Sequence, residues 1–186
     1  MDSEIYIRTP ESKNKKRAIV AINTILVIVI VLLLIVLCSI NTIWSPFTIK
    51  GASMQETLHE GDKIVIIEKW YELTYGDIIV FEKDNEKKVI KRVIGMPNDV
   101  IRFDNLTYTW YRNDVALDEP YVTCAYNNNY LTSLTSSVFT ELTTTGLTVK
   151  ENELFVLGDN RIESNDSHIY GCISQDAIIG KYLFTY

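Results

Sequence analysis

The chain has 186 residues and a mass of 21.4 kDa, the size of one compact domain or slightly less than two. With 47% hydrophobic and 11% aromatic residues it is not a disordered chain, and its net charge of −6 has the wrong sign for a nucleic-acid binder. The charge is uneven: residues 1–17 hold five bases (Arg8, Lys13, Lys15, Lys16, Arg17) against three acids, and the rest of the chain 13 bases against 21 acids.

Ala18 to Ile40 contains 23 uncharged and mostly aliphatic residues. As a helix the run rises roughly 34 Å, enough to cross a hydrocarbon core of about 30 Å. A cleaved signal peptide would have a shorter apolar region, and a lipoprotein signal would place small residues, not Val36 and Leu37, ahead of Cys38. We read the segment as a single transmembrane anchor. Four bases abut its start and no comparable cluster follows it, so the positive-inside rule predicts a cytoplasmic N-terminus and an outer domain. Trp44 suits an interfacial position, and Pro46 stops any helical continuation. The expected organisation is a basic tail over residues 1–17, an anchor over 18–43 and an extracytoplasmic domain over 44–186. Within that domain we expect an irregular excursion at about 104–150.

The outer domain reads as short β-branched runs separated by turn formers. The runs are Lys63–Glu68, Asp77–Phe81, Lys88–Ile94, Val100–Phe103, Tyr108–Arg112, Glu153–Leu157 and Ala177–Leu183. Such spacing predicts a mostly β, antiparallel architecture. Asn113-Asp114 is a candidate tight hairpin turn, since both residues tolerate positive φ. KIVII and DIIVF are nearly continuous apolar runs. They suit either a strand buried on both faces or a strand with one face on lipid, and we favour the second. The Thr- and Ser-rich stretch from Thr123 to Thr148 reads as loop with one or two edge strands. Cys124 and Cys172 share an oxidising compartment, which permits a disulfide that nothing in their spacing requires. With His59 and His168 the only histidines, no metal site is expected.

Four segments carry the chemistry: Gly51-Ala52-Ser53-Met54-Gln55-Glu56-Thr57-Leu58, Tyr75 to Phe81, Ile90-Lys91-Arg92-Val93-Ile94-Gly95-Met96-Pro97-Asn98-Asp99, and Leu157 to Gly171 with its GDNRIESNDS core. Their order behind an N-terminal anchor resembles the bacterial type I signal peptidases in their short, Gram-positive-like form. These are membrane-anchored serine proteases with a Ser–Lys dyad and a largely antiparallel, barrel-like β fold. The resemblance covers the anchor and nearly all of the outer domain.

By position, the resemblance implies that Ser53 is the nucleophile and Lys91 the general base. The chemistry is coherent on its own terms. A serine hydroxyl needs an adjacent group to take its proton, and a lysine can do so only when neutral. Its reference pKa near 10.4 must therefore fall, by burial or by a neighbouring cation. Val89, Ile90, Val93 and Ile94 give Lys91 an apolar setting. The resemblance further implies that Ser164 hydrogen-bonds the base amine, that Asp166 and Arg161 form a supporting ion pair, and that Asp159 with Asn160 shapes the turn that positions them.

The Ser53 N–H would meet the oxyanion, with the second donor open because Gly51 has no side chain. Gly51, Ala52, Met54 and Ile90 are the expected substrate-binding residues, with a core position the alternative for Met54. An extended peptide would add to the sheet near them, and the resemblance implies a small-x-small (Ala-x-Ala) junction. The expected partners are signal peptides of translocated preproteins and the lipid bilayer, with no nucleic acid, metal or cofactor, and a monomer is the default. Three positions depart from the family: Glu56 stands for a usual proline, Asn98 for glycine and His168 for arginine. Glu56 is expected to leave the loop behind Ser53 looser. The competing function is a specialised or catalytically weak paralogue that binds or assembles a narrow set of surface proteins.

Overall fold

The computed structural model describes residues 10–83, 87–123, 126 and 136–186. It divides into two units, Met1–Ile43 and Trp44–Tyr186. In the first, α1 runs from Pro10 to Ile43. Its stretch Asn14–Cys38 is long and apolar enough to cross a membrane, and the aliphatic side chains from Ile19 to Leu37 lie exposed on its surface. Its length and its apolar character on every face suit a membrane span. The N-terminal residues 1–9, including Arg8, lie outside the described residues.

The second unit is strand-rich. Strands β1 (Trp44–Thr48), β2 (Lys63–Ile67), β3 (Ile78–Lys83), β4 (Lys87–Gly95), β9 (Glu153–Leu157), β10 (Ile173–Ser174) and β11 (Ile178–Thr185) build a seven-stranded sheet. Its order is β1-β2-β11-β3-β4-β9-β10. A four-stranded sheet runs β7-β6-β5-β8, with β5 at Val100–Asp104, β6 at Thr109–Arg112, β7 at Val115–Ala116 and β8 at Leu147–Thr148. Every strand pair is antiparallel. The seven strands expected from sequence are all present within a residue or two at their ends. The turn at Asn113 and Asp114 has φ of 51° and 62°, and Asn98 sits at 74° where a glycine is usual. Asparagine and aspartate reach this region at little cost because their short polar side chains bond locally.

Three features differ from expectation. First, β3 is buried on both faces. Ile78 and Val80 join a cluster with Met54, Leu58, Ile64, Ile66 and Ile90, while Ile79 and Phe81 join Val93, Leu154 and Val156. The continuous apolar run of DIIVF thus reflects a central strand between two cores, not a lipid-facing one. Second, β1 contains Pro46 and begins directly at Trp44, pairing with β2 from Trp44↔Ile67 to Thr48↔Lys63. As an edge strand it tolerates the missing N–H. Third, the Thr-rich excursion contains α2 (Ser137–Thr144) as well as β8. Its β-branched residues favour helix poorly, but the Ser136 side chain caps it by accepting from the Phe139 N–H, and Phe139 and Leu142 bury one face. Tertiary packing and the cap together override local propensity.

Candidate active site

The loop between β1 and β2 carries Ser53. Its base is closed by the Ile49 N–H on the Asp62 carbonyl and the Gly61 N–H on the Ile49 carbonyl, at 2.9 and 3.0 Å. Inside the loop the amides of Thr57 and Leu58 both donate to the Met54 carbonyl. Met54 and Leu58 are buried in the cluster beneath and anchor the turn. Met54 therefore serves the core and does not line the cleft above it, whereas Gly51, Ala52 and Ile90 do. Its long, flexible side chain fills the space under the loop better than a rigid one would.

Lys91 reaches this loop from β4. Its Nζ lies 2.5 Å from Ser53 Oγ and donates to the Ile90 carbonyl at 2.9 Å. The lysine is only 3% exposed. Burial pushes the amine down to about 8; Asp166 and Asp159 oppose the fall, and Lys87 adds to it. About a tenth of the amine is then neutral at pH 7. The Ser53 N–H donates to no group among the described residues and faces no competitor for a developing oxyanion.

The segment after β9 clamps the Ser53 loop. The Asn160 N–H donates to the Ser53 carbonyl at 3.1 Å, and the Asn160 amide donates to the Ala52 carbonyl at 3.2 Å. A Cβ at Gly158 would collide with the Ser164 hydroxyl and stand 2.5 Å from the Ser53 carbonyl oxygen. Only glycine permits this approach.

The carboxylates behind the site pair differently from expectation. Arg161 does not bond Asp166. Its guanidinium meets both oxygens of Glu119, at 2.5 and 2.9 Å, and also donates to Tyr126 and to the Gly158 carbonyl. Asp166, fully buried, accepts from the Gly158 N–H at 2.8 Å and bonds the His168 ring. Burial alone would raise its carboxyl, but His168 and the Gly158 N–H hold it below the usual carboxylate range. The histidine thus takes the place expected of a cation beside Asp166. The Ser164 hydroxyl, expected on the Lys91 amine, is buried and makes no bond to that amine; it lies beside the Asp166 carboxylate and helps hold it ionised.

Three residues were missed in the sequence. Arg92 donates from Nε and Nη2 to the two oxygens of Asp159, at 2.8 and 2.5 Å, and from Nη1 to the Gly76 carbonyl, and it stacks on Tyr121. Thr57 donates to Asp159 at 2.5 Å. Glu119 is the third. The signal for Arg92 was present: two adjacent cations in an apolar strand cannot both face water, so one needed a buried anion. Thr57 and Glu119 carried no such signal.

Among the described residues, no cluster of three His, Cys, Asp or Glu could hold a metal ion. Cys172 is a free thiol that burial pushes up to about 12, and Cys124 lies outside the described residues.

Facing the dyad is a cleft of about 680 Å³, walled by the Lys50–Ser53 segment on one side and by Lys87–Lys91 on the other. Along that second wall the edge of β4 is unpaired among the described residues, because β9 pairs only with Arg92 to Gly95. Such an edge offers an extended peptide backbone partners beside the Ser53 hydroxyl.

Comparison with known proteins identifies the family. The family model described as "Signal peptidase, peptidase S26" matches residues 21–186. The signal peptidase IB of Staphylococcus aureus (strain COL) is 33% identical over 153 residues, covering 77% of this chain and 78% of its own. Signal peptidase I of Bacillus caldolyticus is 35% identical over 148 residues, covering 77% and 80%. A crystal structure of a signal peptidase I from Enterococcus faecalis V583 shares 33% identity and a TM-score of 0.48, covering 62% of this chain and all of that one. The chain belongs to the peptidase S26 signal peptidases and is a membrane-anchored serine endopeptidase of the signal peptidase I type.

Proposed function

We propose that Ser53 and Lys91 form the catalytic dyad that removes signal peptides after a small-x-small junction. The observation that carries this reading is the 2.5 Å approach of a buried lysine amine to the serine hydroxyl. Neutral Lys91 accepts the Ser53 proton as Oγ attacks the scissile carbonyl, and the Ser53 N–H donates to the oxyanion. The resulting ammonium protonates the leaving amine. Lys91, neutral again, deprotonates the water that hydrolyses the acyl-enzyme and so restores the Ser53 hydroxyl. Gly51, Ala52 and Ile90 contact the peptide, while Asp159, Arg161, Asp166 and Ser164 position the loop and the base.

We place residues 1–17 in the cytoplasm, residues 18–43 in the bilayer and residues 44–186 outside, acting as a monomer. Four bases directly before the apolar run and no comparable cluster directly after it support that orientation. External protease applied to intact protoplasts should remove the 44–186 unit and spare an N-terminal tag.

The direct test is cleavage of an Ala-x-Ala peptide in detergent by wild type, Ser53→Ala and Lys91→Met. Cleavage after the second alanine that disappears in both variants supports the dyad. Cleavage that survives either substitution rejects it.

A further inference from the structure

The cleft is basic although the protein is acidic. Outside the first 17 residues the chain carries 21 acids against 13 bases, yet the described cleft lining holds five lysines and a single acid, Glu163. Lys91 is the base, and Lys83 sits over the Tyr170 ring. Lys50, Lys87 and Lys88 are exposed, and none has an ion-pair partner among the described residues. Isolated exposed lysines need no explanation; three around one cleft in an acidic domain generate a local field.

Their spacing relates that field to the reaction. Lys88 and Lys87 precede Lys91 by three and four residues, or about 10 and 13 Å along the strand. Both lie on the segment of β4 whose edge β9 leaves unpaired. On the opposite wall Lys50 precedes Ser53 by three residues. A peptide extended along that edge with its scissile carbonyl at Ser53 brings a residue three to five positions from the cut within reach of these ammonium groups. A planar array of lipid headgroups would not enter the cleft as an extended chain does.

We propose that Lys50, Lys87 and Lys88 select substrates bearing a carboxylate three to five residues from the scissile bond. The proposal rests on the peptidase reading and specifies its substrate class. Exposed charge pairs are individually weak, so three acting together should favour an acidic over a neutral peptide by about three- to tenfold in kcat/KM. The preference should shrink at high ionic strength, where the Debye length falls to about 3 Å in 1 M salt.

The test uses full-length protein in zwitterionic detergent and Ala-x-Ala peptides with Asp, Asn or Lys placed three to five residues from the cut, on each side separately. Cleavage is measured at pH 9.5 to keep the Lys91 amine neutral, and binding is measured by fluorescence anisotropy with Ser53→Ala. The expected result is a ranking Asp over Asn over Lys on one side of the cut, with the Asp/Asn ratio falling toward one in a Lys50→Gln/Lys87→Gln/Lys88→Gln variant and in 0.5 M salt. Equal handling of the three peptides by wild type overturns the proposal, as does a preference that persists in the triple variant. If anionic vesicles instead accelerate all peptides alike, and only when the lysines are present, the lysines serve a lipid surface and the proposal falls. Selective binding of the Asp peptide by Ser53→Ala, with no cleavage of any peptide by wild type, upholds the lysine selectivity and rejects the peptidase reading.

Discussion

Arg92 and Asp159 join the two halves of the site. Arg92 follows Lys91 on β4, Asp159 precedes the Asn160 that holds the Ser53 carbonyl, and their bonds are 2.8 and 2.5 Å long. Asp159 is fully buried, so removing its cation leaves a charge with few alternatives, at a cost of about 3–5 kcal/mol. Lysine cannot reproduce a two-pronged bond. Arg92→Lys should therefore lower both the unfolding midpoint and kcat/KM, the latter by about tenfold or more, as steady-state cleavage assays would read. Unchanged kinetics in a folded Arg92→Lys protein would remove Arg92 from the positioning framework.

The base has a thermodynamic signature separate from turnover. Its amine falls from 10.5 to about 8 on folding. Below pH 8 Lys91 is charged in both states and burial works against the fold. Between about 8 and 10.5 the unfolded chain binds the extra proton, so stability rises with pH through that window. Lys91→Met should stabilise the protein near pH 7 by up to about 3 kcal/mol, and the advantage should vanish above pH 10.5. Urea titrations at pH 7 and pH 10.5 would show it. Wild-type kcat/KM should rise to a plateau with a midpoint near 8.

Glu56 occupies a backbone conformation that the expected proline could not adopt. Its φ is +94°, and proline is locked near −65°. The loop is held by bonds to Met54, Thr57 and Asn160. Glu56→Pro should destabilise by about 3 kcal/mol or more and displace Ser53. Glu56→Gly should relieve strain and gain about 1 kcal/mol, seen as a rise in Tm of about 2–4 °C. A Pro variant as stable and active as wild type would contradict this loop geometry.

Glu119 ties the 117–123 segment to Arg161, which is 1% exposed. Burial would lower the guanidinium's proton affinity, but Glu119 and Tyr126 more than compensate. Glu119→Gln keeps the shape but loses the charge, and should cost about 3 kcal/mol as an uncompensated buried cation. Differential scanning calorimetry would register it, and a change within ±0.5 kcal/mol would show the pair to be solvated.

Asp166 sets an acid limit. Its carboxyl is held low by His168 and the Gly158 N–H, so its contribution is complete above the unfolded carboxylate pKa of about 3.9 and is lost as pH falls through the lower folded value. Asp166→Asn should flatten stability against pH below about 4. It should also move the kcat/KM midpoint to lower pH, because Asp166 opposes the fall of the Lys91 amine. A midpoint unmoved in that variant would place Asp166 too far from the base to act on it.

Strands with β-branched runs and clear turn residues were legible in the sequence, as were the apolar helix and the meeting of Ser53 with Lys91. What was not legible depended on partners distant along the chain. Arg161 and Asp166 are five residues apart and invite pairing, yet Arg161 turns to Glu119, 42 residues earlier, and Asp166 to His168. Local spacing does not specify which of several buried ions face each other. Likewise α2 depends on burial of Phe139 and Leu142, which its Thr-rich sequence does not advertise. Whether DIIVF faced lipid or a second core was a question of strand order, and β3 became central only because β11 returns from the chain end to pair with it.

Lys91 and Arg92 are adjacent on one strand, and successive residues of a strand project to opposite sides. The reacting amine and the guanidinium that braces Asp159 are therefore allotted by parity. Deleting one residue between the β3–β4 connection and Lys91, with the preceding register kept, would bring the ever-protonated guanidinium of Arg92 to the place facing Ser53 and Val93 to the place facing Asp159. Any register shift of this strand that carries the amine away from Ser53 should therefore abolish proton abstraction even where the fold survives, and a shift of one residue should also leave Asp159 without its cation.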